Sequence, residues 1–207
     1  MADRVYLSLW LPASGEPSLA PLEAALRALP ASQARPGIHA LRVTPLDWAQ
    51  PTLFEEQFEP GIEIGAAMTL LGEYLHDDYA FEAECAWDLW LPAASAAPGV
   101  AVVPAWRQVA SRVQITLLGR LFERRAATEE AHAEGDLWVD LGTETLFLAP
   151  DQPANAETRG KLQENAAALV RYSNALAAAV HPTRRQLWSE AEEDLATRLT
   201  ARLHWVQ

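Results

Sequence analysis

Along Tyr79 to Pro92, apolar residues hold the odd positions, Tyr79, Phe81, Ala83, Cys85, Trp87, Leu89 and Leu91, while the even positions carry Glu82, Glu84 and Asp88. A hydrophobic period of two belongs to a strand with one buried face. The stretch therefore predicts a central strand of an antiparallel sheet. Residues 4–11 repeat the pattern, with Val5, Leu7, Leu9 and Leu11 on one side and Tyr6, Ser8 and Trp10 on the other. Further strands are predicted over 38–44, over 109–122, where Val113, Ile115 and Leu117 oppose Arg112, Gln114 and Thr116, and over 136–141. Gly142 is expected at a bulge, because the apolar parity shifts after it to Leu146 and Leu148.

Elsewhere the period is helical. Leu19, Leu22, Leu26 and Leu29 recur three or four residues apart up to Pro30, with Ser18 in position to cap the start. From Ile62 to His76 the chain is apolar on nearly all sides and predicts a buried helix, although Gly65 and Gly72 lower its propensity. Leu162, Ala166, Leu169, Tyr172 and Leu176 mark a helix over 156–180, capped by Asn155 and stopped at His181-Pro182. At 1.5 Å per residue it is roughly 36 Å long, enough to lie along the apolar face of a sheet. A capping box at Ser189-Glu190-Ala191-Glu192 predicts a last helix carrying Leu195, Leu199 and Leu203. The proline-rich, aromatic segment 45–61 reads as a loop that packs, 93–105 as a long connection and 123–135 as an exposed hairpin loop.

Together these elements predict an α+β fold: a mostly antiparallel sheet of about five strands backed by the long helix, with an additional terminal helix, in a single domain over 1–207. A meander followed by a long helix is similar in topology to helix-grip folds that enclose small apolar ligands.

Composition narrows the function. The chain has 207 residues, half of them apolar and 21% charged, and a formal net charge of -12 from 28 acidic against 16 basic side chains. A field of that sign repels phosphate backbones and anionic membranes, so a basic protein partner is expected, without nucleic acid or membrane. No basic leader precedes an apolar run at the start, no stretch approaches eighteen uninterrupted apolar residues, and Cys85 stands alone. These features fit a cytoplasmic protein. The arginine and alanine excess, with Lys161 as the single lysine, fits the coding bias of a GC-rich bacterium.

Candidate chemistry is sparse. Glu73 with His76, and Glu129 with His132, have the Glu-x-x-His spacing of di-iron helices; companion carboxylates are missing, and neither metal nor cofactor is expected. Cys85 shares its parity with Trp87 and Leu89, which favours a core residue over a nucleophile. Glu82 and Glu84 suit cross-strand pairs with Arg112 or Arg120 better than an acid and base pair. With no complete catalytic motif, a non-enzymatic protein is expected.

Tryptophan is the exception to this plainness. Of eight in the chain, Trp10, Trp90 and Trp138 occupy the parity that otherwise holds Ser8, Asp88, Asp136 and Asp140. If their strands share a sheet, the polar face bears indoles among carboxylates. Trp10, Trp90, Trp138, Asp88, Asp136 and Asp140 are then the expected partner-binding surface, as in immunity or accessory proteins. Two alternatives stay open: the segment 45–60 or the last helix covers that face as a second core, or the function lies in an apolar cavity between sheet and long helix.

Overall fold

The computed structural model describes residues 3–12, 16–92, 106–122, 135–148, 156–190, 195 and 197–199. Its elements, in chain order, are β1 (Arg4–Trp10), α1 (Ala20–Ala28), β2 (Ile38–Pro45), β3 (Phe54–Ile62), α2 (Ile64–Gly72), β4 (Tyr79–Pro92), β5 (Trp106–Leu118), β6 (Leu137–Thr143), α3 (Ala156–Val180) and β7 (Arg184–Ser189). The strands form one antiparallel sheet in the order β3-β2-β4-β5-β6-β1-β7. The protein is thus α+β, with seven strands rather than five.

The odd-numbered residues of β1, β4, β5 and β6 make the core. Val5, Leu7, Leu9, Phe81, Trp87, Leu89, Val113, Ile115, Leu137 and Val139 are all buried in one cluster with Leu22 of α1, Leu71 of α2 and Leu169, Tyr172 and Leu176 of α3. Since all three helices join that cluster, they cover the same face. The alternation is satisfied by burial of the apolar row, each large side chain contributing about 1.5–3 kcal/mol. Gly142 adopts φ +89°, and the β1–β6 register slips beside it, so the expected bulge forms where a side chain would be strained.

Three expectations are corrected. Segment 45–61 is a loop only in its first half; Phe54–Ile62 is an edge strand whose Glu55, Glu56, Gln57 and Glu59 give it no apolar alternation. The expected helix 62–76 ends at Gly72 and buries only Ala67 and Leu71. Its last turn tightens to bonds such as Tyr74 N–H to Leu71 C=O, 3.0 Å, which leaves Glu73 at the C-cap and His76 beyond the helix. Ser189 closes β7, residues 191–194 of the expected last helix lie outside the described residues, and residues 195 and 197–199 are helical, with Leu195 and Leu199 buried. Leu19, not Ser18, holds the N-cap position of α1, though Ser18 Oγ accepts the Ala20 N–H at 3.2 Å. Asn155, Glu129 and His132, named as cap and metal candidates, lie outside the described residues.

The β4–β5 hairpin outruns the sheet. Pairing with β2 stops at Cys85 and pairing with β6 spans Gln114 to Leu117, so 86–92 and 106–112 pair only with each other, an arm about 23 Å long. Asn165 of α3 holds its edge: the side chain accepts the Trp90 N–H at 3.0 Å and donates to Trp90 C=O at 2.9 Å and Leu146 C=O at 2.7 Å. Among the described residues no helix is long and apolar enough to cross a membrane.

Candidate binding face

Strand order decides which of the expected site residues meet. β6, β1 and β7 are neighbours; Ser8 stands opposite Trp138 and Gln186, and Tyr6 opposite Asp140 and Trp188. Trp10, Trp138 and Asp140 are therefore brought together on the face away from the helices, whereas Asp136, just before β6, sits at the end of the sheet beside Leu11 and reaches a pocket on the helix side. Thr116 stands opposite both Trp138 and Glu82, whereas Trp90 and Asp88 lie further along β4, Trp90 by about 26 Å. The six residues do not form one surface, because strand parity fixes a side of the sheet but not a position along it.

What assembles instead is a row of rings. Tyr6 stacks on Trp188 at 4.5 Å between centroids and faces Trp138 at 5.9 Å. Trp188 Nε1 donates to Ser8 Oγ at 3.0 Å, and the Arg184 guanidinium lies 4.3 Å from the Trp10 ring, within cation–π range. The small residues beneath are shut off from water: Ser8 is 0% exposed and Thr116 2%. Trp138 Nε1 is buried and meets no acceptor among the described residues. Tyr6 and Trp188 were absent from the expected set, Trp188 because nothing marked its six-residue strand. Tyr6 shares the parity of Ser8 and Trp10, and that was the available signal.

The carboxylates are tied down. Asp136 accepts the Leu11 N–H at 2.7 Å; Asp140 takes Arg4 Nε at 2.8 Å and the Gly142 N–H at 3.0 Å; Asp88 takes the Gln33 N–H at 2.8 Å. Glu190 accepts the Tyr6 hydroxyl at 3.0 Å. Burial, with the charges of Asp140 and Glu190, raises the Tyr6 pKa far above the ordinary phenol value. These acids order the face more than they advertise charge.

Part of the same face is covered. Trp48, from the segment after β2, packs edge-on against Phe122 at 4.8 Å, over Ala80 and Leu118. The covering expected from segment 45–60 thus reaches the end of β4 and β5, in a cluster separate from the Trp138 row. Trp90, on the arm, instead carries the Lys161 ammonium 3.6 Å from its ring centroid.

The other candidates resolve into structure. Cys85 is 5% exposed and burial pushes its thiol up to about 12. Glu84 pairs with Arg112 at 2.7 Å, Glu82 with Arg42 at 3.4 Å, and Arg120 with Asp77 rather than either glutamate. No group of metal-ligating side chains occurs among the described residues. Trp87 and Tyr172 meet edge-on, ring centroids 6.0 Å apart, where the long helix crosses β4. No family model, curated protein or solved structure matches this chain.

Proposed function

We propose that the chain is a non-enzymatic, cytoplasmic interaction protein that binds a basic protein partner through the face bearing Tyr6, Trp10, Trp138 and Trp188. The observation that carries this reading is the row of rings on adjoining strands, on the side of the sheet opposite the three helices. Trp, Tyr and Arg are the side chains that dominate binding hot spots, and here Arg184 and Arg4 flank the rings. The net charge of -12 acts at longer range, steering a basic partner in a salt-dependent way. Because the nearby carboxylates are engaged within the fold, the rings rather than the acids supply the contact. Against an enzyme stands the scatter of perturbed groups: the Cys85 thiol faces the core cluster, whereas Glu82 pairs with Arg42 on the opposite side.

Trp10 is the residue to test, since its ring lies against the exposed Arg184. Trp10→Ala is expected to cost about 1 kcal/mol of stability, the scale of its cation–π contact with Arg184 at the edge of the sheet. In cross-linking capture with wild-type and variant baits, a basic protein held by the wild type should be lost by the variant. A fall in stability of about 3 kcal/mol or more would assign Trp10 to a second core, and unchanged capture would place the interface elsewhere.

A further inference from the structure

On the helix side, at the end of the sheet remote from the β4–β5 arm, lies a cavity of about 330 Å³. It is not the space expected between sheet and long helix; its walls come from the end of β1, from β4 and β5, the start of α1 and the turn after α2. The volume falls at the low end of small-ligand sites, about 300–1,000 Å³. Phe81 and Leu117, directly paired on β4 and β5, line it with Leu11, Pro17, Pro21 and Leu75. Leu75 is 38% exposed and Phe81 2%, so the space runs from an open apolar mouth to a dry floor. Its wall is fixed by backbone: Gly119 N–H donates to Tyr79 C=O and Leu121 N–H to Asp77 C=O, both at 2.8 Å. A Cβ on Gly119 would collide with the Asp77 carbonyl, which is why bare backbone stands there.

Charged groups border the same space, and each is engaged within the fold. Asp77 is paired with Arg120 and His76 with Asp78, while Asp136 accepts the Leu11 N–H at 2.7 Å. Glu16, Arg120 and Asp136 have further interactions within the protein. Ser18 Oγ, also in the lining, accepts the Ala20 N–H at 3.2 Å. An ion entering here would give up its hydration without meeting an uncommitted counter-charge, whereas a neutral hydrocarbon loses nothing of the kind. The lining therefore selects against charge of either sign.

We infer that this cavity binds a small neutral molecule with a hydrocarbon body, of the class of a medium-chain alcohol, seated on Phe81, Leu117 and Leu75. The site is separate from the aromatic face and does not rest on the partner-binding reading.

Straight-chain alcohols from 1-butanol to 1-octanol, with hexylamine and hexanoate as charged counterparts of 1-hexanol, test this when titrated into the full chain and followed by amide chemical shifts and calorimetry. Each added methylene should tighten binding about fourfold, the factor that about 0.8 kcal/mol per buried CH₂ gives, until the cavity is filled. Both ions should bind at least tenfold more weakly than 1-hexanol, and the alcohols should shift Leu75 and Gly119 most. Leu75→Trp, at an exposed position, narrows the mouth and should weaken every alcohol. Binding of hexylamine or hexanoate as tight as that of 1-hexanol would overturn the neutral assignment. No binding of any alcohol, affinity that does not change with chain length, or binding undiminished in Leu75→Trp would overturn the cavity as a site.

Discussion

Glu82 is a carboxylate in a place built for a neutral group. It is 8% exposed, hydrogen-bonded by Gln114 Nε2, and its Arg42 contact is long at 3.4 Å. Burial outweighs Arg42 and Gln114 and raises its pKa above the ordinary glutamate value. A carboxyl raised on folding contributes stability while protonated, below its unfolded pKa, and loses that contribution as pH rises through the folded value. Glu82→Gln removes the titration and keeps an acceptor for Gln114, while Arg42 retains Glu55 at 2.8 Å. The variant should therefore melt higher than the wild type at pH 7, and the gap should close as pH falls below the ordinary glutamate range. Paired thermal melts from pH 3 to 7 check this; a variant less stable at pH 7 would show that the Arg42 pair outweighs the burial.

At the scale of elements, α3 and the β4–β5 arm depend on one side chain. Asn165 is 2% exposed and satisfies one N–H and two C=O groups that no strand pairs. Asn165→Leu keeps the volume and strands all three, each unpaired buried group costing about 1–3 kcal/mol. With part of that recovered from water at the arm's edge, the expected loss is about 3 kcal/mol in urea unfolding. A loss under 1 kcal/mol would mean that the arm holds itself. The lengths of β4 and α3 were both legible in the sequence, because fourteen residues of alternation and twenty-five of helical spacing leave little choice. β3 and β7 were not. Glu55-Glu56-Gln57 is polar on both sides because an edge strand needs burial on neither, and Arg184–Ser189 is too short and basic to stand out from a linker. Asn165 lies one turn before Leu169 on the buried stripe, so its position was visible, but its partner on β4 was not. The candidate site was half legible for the same reason: parity put Trp10 and Trp138 on one face, while register and strand order, set by long-range pairing, removed Trp90 and supplied Trp188.

For the whole molecule, β7 closes the sheet that β1 would otherwise leave open. β1 pairs with β7 from Val5 to Trp10, and its Val5, Leu7 and Leu9 are fully buried. An unpaired β1 would present an apolar edge, a template for aggregation. Trp188 anchors this closure from the other face: its ring stacks on Tyr6, and its N–H holds Ser8. The rings of the row therefore divide by role, although all share one face. Trp188→Ala should cost about 3 kcal/mol, at the lower end for losing a tryptophan because the ring is only partly buried, which in a chain of this length lowers the melting midpoint by about 6–12 °C. Trp10→Ala, by contrast, should leave the midpoint nearly in place. A Trp188→Ala midpoint within 2 °C of wild type would show that β7 is held by its backbone ladder and by Leu187 alone. The indole would then be surplus to folding, and Trp188 would join Trp10 as a residue kept for contact with a partner.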